Sequence, residues 1–89
     1  MVQEAILSGT LQSAGKPVEA AKICILEQHG PALIACGRTD DLGEYAISVP
    51  LGTYRAEIQT AEGKVYLSTV SLREPGYHRD LLSVGEKAR

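Results

Sequence analysis

The stretch from Thr39 to Tyr54 reads TDDLGEYAISVPLGTY, and its spacing of apolar positions is the clearest in the chain. A polar turn ends at Gly43, and Tyr45, Ile47 and Val49 then fall on every second residue. Pro50 and Gly52 interrupt the run, and a second one begins at Tyr54 and continues through Ala56 and Ile58. A period of two puts alternate side chains on opposite faces of a strand, one buried and one wet. Two such runs around a Pro/Gly break predict a hairpin-like unit.

The same reading extends to both sides. Ala5, Leu7, Gly9 and Leu11 alternate with Ile6, Ser8 and Thr10, which predicts a first strand with a bulge or close backbone approach at Gly9. Residues 13–17 form a turn, since Pro17 cannot donate to a central ladder. Ala21, Ile23 and Ile25 alternate with Lys22, Cys24 and Leu26, and residues 32–37 make a short apolar strand of small side chains. Residues 61–64 turn the chain again. From 65 to 72 both alternating sets contain apolar residues, so the inward face of that strand stays open. Residues 73–76 read as a loop, and Leu81, Leu82 and Val84 as a last short strand or the start of a helix, with Asp80 suited to its N-cap. Six or seven short strands at intervals of about 8–12 residues predict an all-β fold, an antiparallel sandwich. One sandwich domain spans 1–84, and 85–89 form a polar tail.

Size limits what this fold can bury. At 89 residues the chain is one domain with a thin core, and its net stability is on the order of 4–13 kcal/mol. Nine basic and eleven acidic side chains give a formal charge of -2, which leaves no electrostatic footprint for nucleic acid or an anionic membrane. With no Trp and no Phe, four Tyr supply all the aromatic packing. Tyr45 and Tyr54 follow turns at inward positions and read as core, together with Leu7, Leu11, Ile23, Ile25, Ile47 and Ile58. Tyr66 and Tyr77 are the candidates for exposure, Tyr77 in a loop with Pro75 and Gly76. The opening residues lack the basic start and long apolar segment of a signal peptide.

Candidate chemistry is sparse. Asp40, Asp41 and Glu44 surround Gly43 without the spacing of a calcium loop, so Asp40 and Gly43 read as structural turn residues, as does Gly52. Cys24 and Cys36 lie on neighbouring predicted strands. A three-residue loop at 29–31 would place them directly opposite each other, where a cross-strand disulfide is conceivable; a four-residue loop would offset them by one. The expectation is two free, half-buried thiols. Two Cys with the distant His29 and His78 do not make a zinc site, and no nucleophile–base pair, phosphate loop or carboxylate pair appears. No enzyme activity, metal or cofactor is expected.

With these residues in place, 8–26 and 39–58 resemble the carboxypeptidase regulatory-like domains, through Gly9, Gly15, Pro17, Val18, Ala21, Ile23, Asp40, Gly43, Tyr45, Ile47, Gly52 and Tyr54. That resemblance implies a prealbumin-like (transthyretin-like) Greek-key sandwich of about seven strands. A narrower resemblance spans the whole length, to the N-terminal domain of prophage tail-fibre proteins. It rests on Ser8 to Leu11, Gly15 to Val18, Asp40 to Tyr45, Gly52 to Tyr54 and Asp80 to Leu82. Where that family has Asn before the Asp, this chain has Arg79, and its loop before the Asp40 turn is shorter. The tail-fibre resemblance implies a non-catalytic structural module that attaches a fibre to a virion, made in the host cytoplasm. It implies other tail or fibre proteins as partners, with a homotrimer in a full fibre and no nucleic acid or membrane. Tyr66, Pro75, Tyr77, Asp80, Leu81 and Leu82 are the candidate partner-binding residues. The broader resemblance implies instead an accessory domain of a secreted or surface protein, binding carbohydrate or protein.

Overall fold

A computed structural model describes residues 4–79 and Leu82. Every regular element among them is a strand. Strand β1 (Glu4–Thr10) is followed by a miniature hairpin, β2 (Gln12–Ser13) and β3 (Lys16–Pro17). Ala14 and Gly15, both at positive φ (54° and 78°), make its turn. Then come β4 (Lys22–Glu27), β5 (Leu33–Arg38), β6 (Glu44–Pro50), β7 (Gly52–Gln59), β8 (Val65–Leu72) and β9 (Gly76–Arg79). They form a three-stranded sheet in the order β6-β1-β9 and a four-stranded sheet in the order β5-β4-β7-β8.

One apolar cluster joins the two sheets in a sandwich-like arrangement. Ala5, Leu7, Tyr45, Ile47 and Val49 enter it from the three-stranded sheet, and Ile23, Ile25, Ala56, Ile58, Val70 and Leu72 from the four-stranded one. Alternation is clean where the sequence contrast is clean: β6 reads exposed–buried without exception from Glu44 to Pro50. In β8 the inward set is Tyr66, Ser68, Val70 and Leu72, which leaves Val65 and Leu67 on the outer face. The single buried polar residue in the described core is Thr39, just past the end of β5. Its Oγ1 accepts from Ala21 N–H (2.9 Å) and donates to the Val18 carbonyl (2.7 Å), so its burial satisfies two main-chain groups that no ladder reaches.

Three expectations need correction. First, β6 and β7 do not form a hairpin. The ladder of β6 is with β1, and both edges of β7 are taken by β4 and β8. Residues 50–52 are therefore a corner between sheets, and a Pro/Gly break suits a corner as well as a hairpin. Tyr54 is only partly buried, because its hydroxyl reaches back over the corner to donate to Pro50 O (2.8 Å). A Cβ on Gly52 would lie 3.1 Å from that hydroxyl oxygen, so the missing side chain makes room for the tyrosine.

Second, the sheets are not wholly antiparallel: β9 runs parallel to β1, with Ala5 opposite Gly76 and Ser8 opposite Arg79. The chain crosses from one sheet to the other between β8 and β9 and arrives at the β1 edge in the same direction. Third, that last strand lies at 76–79, starting at the end of the expected 73–76 loop and running through residues assigned no element. Its Gly-Tyr-His-Arg sequence has no apolar alternation, and main-chain pairing with β1 defines it. Of the element expected at 81–84, only Leu82 falls within the described residues, and it is 3% exposed and part of the core. Asp80, Leu81 and the tail at 85–89 lie outside the described residues.

Candidate functional site

Among the described residues, those expected to meet a partner do not share a surface. Tyr66 points inward from β8, half-buried against the core, and lines a cleft of about 370 Å³ with Lys16, Glu19, Glu62 and Lys64. The cleft carries two charges of each sign and so has no strong preference for a charged ligand. Leu82 is a core residue, 3% exposed, and its side chain is not available to a partner. Pro75 and Tyr77 are exposed, Tyr77 on the other sheet from Tyr66 and Pro75 in the loop just before that strand.

Tyr77 stands on the outer face of the β6-β1-β9 sheet and is 70% exposed. It lies directly across from half-buried Ile6, and Arg79 lies across from Ser8. On the other side of β1, Thr10 faces Glu44. Together Tyr77, Arg79, Ser8, Thr10 and Glu44 border a shallow depression of about 260 Å³. The Ser8 hydroxyl, on a lining residue, is buried without a hydrogen-bond partner among the described residues. Sequence reasoning singled out Tyr77 alone here. The alternating set Ile6, Ser8, Thr10 was readable from the sequence of β1, but its neighbours depend on the β1–β9 pairing, which leaves no local signal.

Several polar side chains elsewhere hold loops. Asp40 Oδ1 accepts from Leu42 N–H and Glu44 N–H, both at 2.9 Å, and Gly43 N–H donates to Asp40 O (3.0 Å). The Arg55 guanidinium donates to the carbonyls of Glu27 (3.0 Å) and Gly30 (2.8 Å), tying the β4–β5 loop to β7. Thr60 Oγ1 accepts from Lys64 N–H (3.1 Å), and His78 Nε2 sits 2.8 Å from Glu74 O. His29 is exposed in the β4–β5 loop. Among the described residues, no three His, Cys, Asp or Glu side chains gather as metal ligands.

The cysteines correct another expectation. Cys24 and Cys36 face each other directly in the β4–β5 ladder, with Cα atoms 4.1 Å apart, and are joined as a disulfide. The register shifts between Ile25 and Leu26, so that Leu26 pairs Leu33 while Cys24 keeps its place opposite Cys36. The bridge lies on the outer face of the four-stranded sheet, since Ile23 and Ile25 point the other way into the core.

No protein-family model and no curated protein sequence matches the chain. Among solved structures, the Bacillus anthracis TIE protein is similar at a TM-score of 0.75 and 17% identity, over 94% of this chain and 18% of that one. An (S)-allantoin synthase is similar at a TM-score of 0.69 and 14% identity, over 93% of this chain and 41% of that one. At these identities the likeness is one of fold. The chain spans less than half the length of either of these two structures.

Proposed function

We propose that the protein is a non-catalytic module that works by protein–protein contact, of the kind that attaches a phage tail fibre to its virion. The observation that carries this reading is the outer face of the β6-β1-β9 sheet. There Tyr77 stands in solvent with Arg79 next along its strand on the same face, bordering a shallow depression beside β1. Tyr and Arg are among the residue types that supply most binding energy when a partner desolvates them. Asp40, Tyr54 and Arg55 are engaged in holding turns and corners, which supports a scaffold role for them. The seven longer strands, split three and four between two sheets, support a prealbumin-like Greek-key arrangement within this reading.

A second reading is favoured by one feature. A disulfide persists more readily outside a reducing cytoplasm, which suits an accessory domain of a secreted or surface protein. Immunogold labelling of virions from the source organism, read beside fractionation of its cells, separates the two. Gold at the junction of fibre and tail supports the first reading. Absence from virions together with recovery in the secreted or surface fraction overturns it in favour of the second, for which a glycan array then tests carbohydrate binding.

A further inference from the structure

The Cys24–Cys36 bridge is placed for chemistry that the core does not require. It sits on the outer face of the sheet, and β5 is an edge strand with no neighbour beyond it in that sheet. Cys36, on that edge strand, is exposed; Cys24, one strand in, is half-buried. Glu57 of β7 lies directly across from Cys24 on its other side. Lys22 and Arg38, a facing pair, occupy the next row on the same outer face, and both are exposed. Residues two apart on a strand are separated by roughly 7 Å.

From this geometry we infer that the bridge is a thiol–disulfide exchange site of the folded protein, with dithiols as its reductants and Cys36 as the sulfur attacked. Exchange proceeds by attack of a thiolate on one sulfur while the other leaves. The attacker approaches along the line of the bond being broken. For Cys36 that line leads away from β4 toward the sheet edge, with Arg38 two residues along the same strand. For Cys24 it leads toward β7, where the acidic Glu57 is the facing residue. A thiolate of the dithiol therefore bonds to Cys36 Sγ, and the Cys24–Cys36 bond breaks. Cys24 leaves with the electron pair and takes a proton from water. The second reductant thiol, deprotonated, attacks its partner sulfur and releases Cys36 as a thiolate, which is protonated in turn. The dithiol is oxidised to a disulfide, and the protein gains two electrons and two protons. The core is on the opposite face, so the sandwich survives the reaction. This inference does not depend on the proposed attachment role.

The test is native-state reduction of the whole protein with dithiothreitol, quenched with N-ethylmaleimide and followed by intact mass and circular dichroism. Two labels per chain with an unchanged strand spectrum are expected, at a rate linear in thiol and insensitive to urea below the unfolding transition. A rate that saturates with thiol and climbs with urea would mean that the bond reacts only in unfolded chains, and would overturn the inference. Limiting glutathione should leave its mixed disulfide on Cys36 by peptide mapping; recovery on Cys24 refutes the assigned direction of attack. Arg38→Gln should slow glutathione about threefold at low salt, with the difference fading in high salt. It should slow cysteamine, whose amine offsets the thiolate charge, far less. Equal slowing of the two reagents rules out the proposed electrostatic assistance.

Discussion

Replacing Gly43 by Ala tests how the Asp40 turn, the β2–β3 hairpin and the end of β1 are fastened together. Gly43 has φ +79°, and a Cβ there would lie 2.6 Å from the Leu11 carbonyl oxygen and 3.2 Å from both Pro17 Cβ and Val18 N. Two of those atoms are main chain. The Leu11 carbonyl already accepts from Val18 N–H (3.0 Å), while Leu11 N–H donates to Gly43 O (2.8 Å). The methyl cannot be accommodated by turning a side chain; the hairpin has to move and loosen those bonds. A left-handed conformation costs an L-residue about 1–2 kcal/mol, and forcing atoms into a packed site costs about 1–3 kcal/mol more. The sum is about 3 kcal/mol, a large part of the stability of a domain this size. At about 4–8 °C per kcal/mol, the melting temperature should fall by about 12–24 °C. Gly63→Ala is the control. It has φ +94° and nothing within 4 Å of a Cβ, so it bears only the backbone cost. Its melting temperature should fall by about half as much or less. Differential scanning calorimetry of the two variants under the same conditions decides the matter. If Gly43→Ala melts with Gly63→Ala, the close approach of the Leu11 carbonyl carries no energy and the reasoning fails.

Other variants probe other layers of the fold. Ile23→Ala, at a fully buried position, should lose about 2–5 kcal/mol in urea unfolding, whereas Leu67→Ala, 70% exposed on β8, should change stability by no more than about 0.5 kcal/mol. Thr39→Val keeps the shape but strips the Ala21 N–H and Val18 carbonyl of their partner, and should cost about 2–4 kcal/mol, most of which Thr39→Ser restores. The double variant Cys24→Ser, Cys36→Ser removes a crosslink of sequence separation 12 and should lose about 3 kcal/mol by loop entropy while keeping a strand-rich circular dichroism spectrum.

The strands with strong contrast between faces were legible before any coordinates. β1, β4, β6 and β7 each carry apolar side chains at period two, and the core draws on Leu7, Ile23, Ile25, Tyr45, Ile47 and Ile58 as expected. Legibility failed where partners are distant or where both faces look alike. β8 carries Val65 and Leu67 outside and Val70 and Leu72 inside, so composition alone could not orient it. Residues 50–52 have the same local chemistry whether they close a hairpin or turn a corner, and only the ladders of β1 and β4 decide. β9 was invisible because its pairing with β1 joins residues about seventy positions apart and owes nothing to its own alternation. The candidate site inherits that difficulty: Tyr77 was identifiable, but Ile6, Ser8 and Arg79 become its neighbours only through that pairing. The disulfide was not legible from loop length: Glu27 pairs with Ala32 around a four-residue loop, which alone would offset the cysteines by one, and the register shift between Ile25 and Leu26 brings Cys24 opposite Cys36.

The most direct test of the account is photo-crosslinking from two positions of equal exposure on different sheets. A photoreactive phenylalanine derivative is placed at Tyr77 on β9 or at Leu67 on β8, each 70% exposed in the native protein. Irradiated in assembled particles, position 77 should give a covalent adduct with a tail or fibre protein and position 67 should give none. Adducts from 67 alone, or from neither position, would contradict an attachment face built on Tyr77.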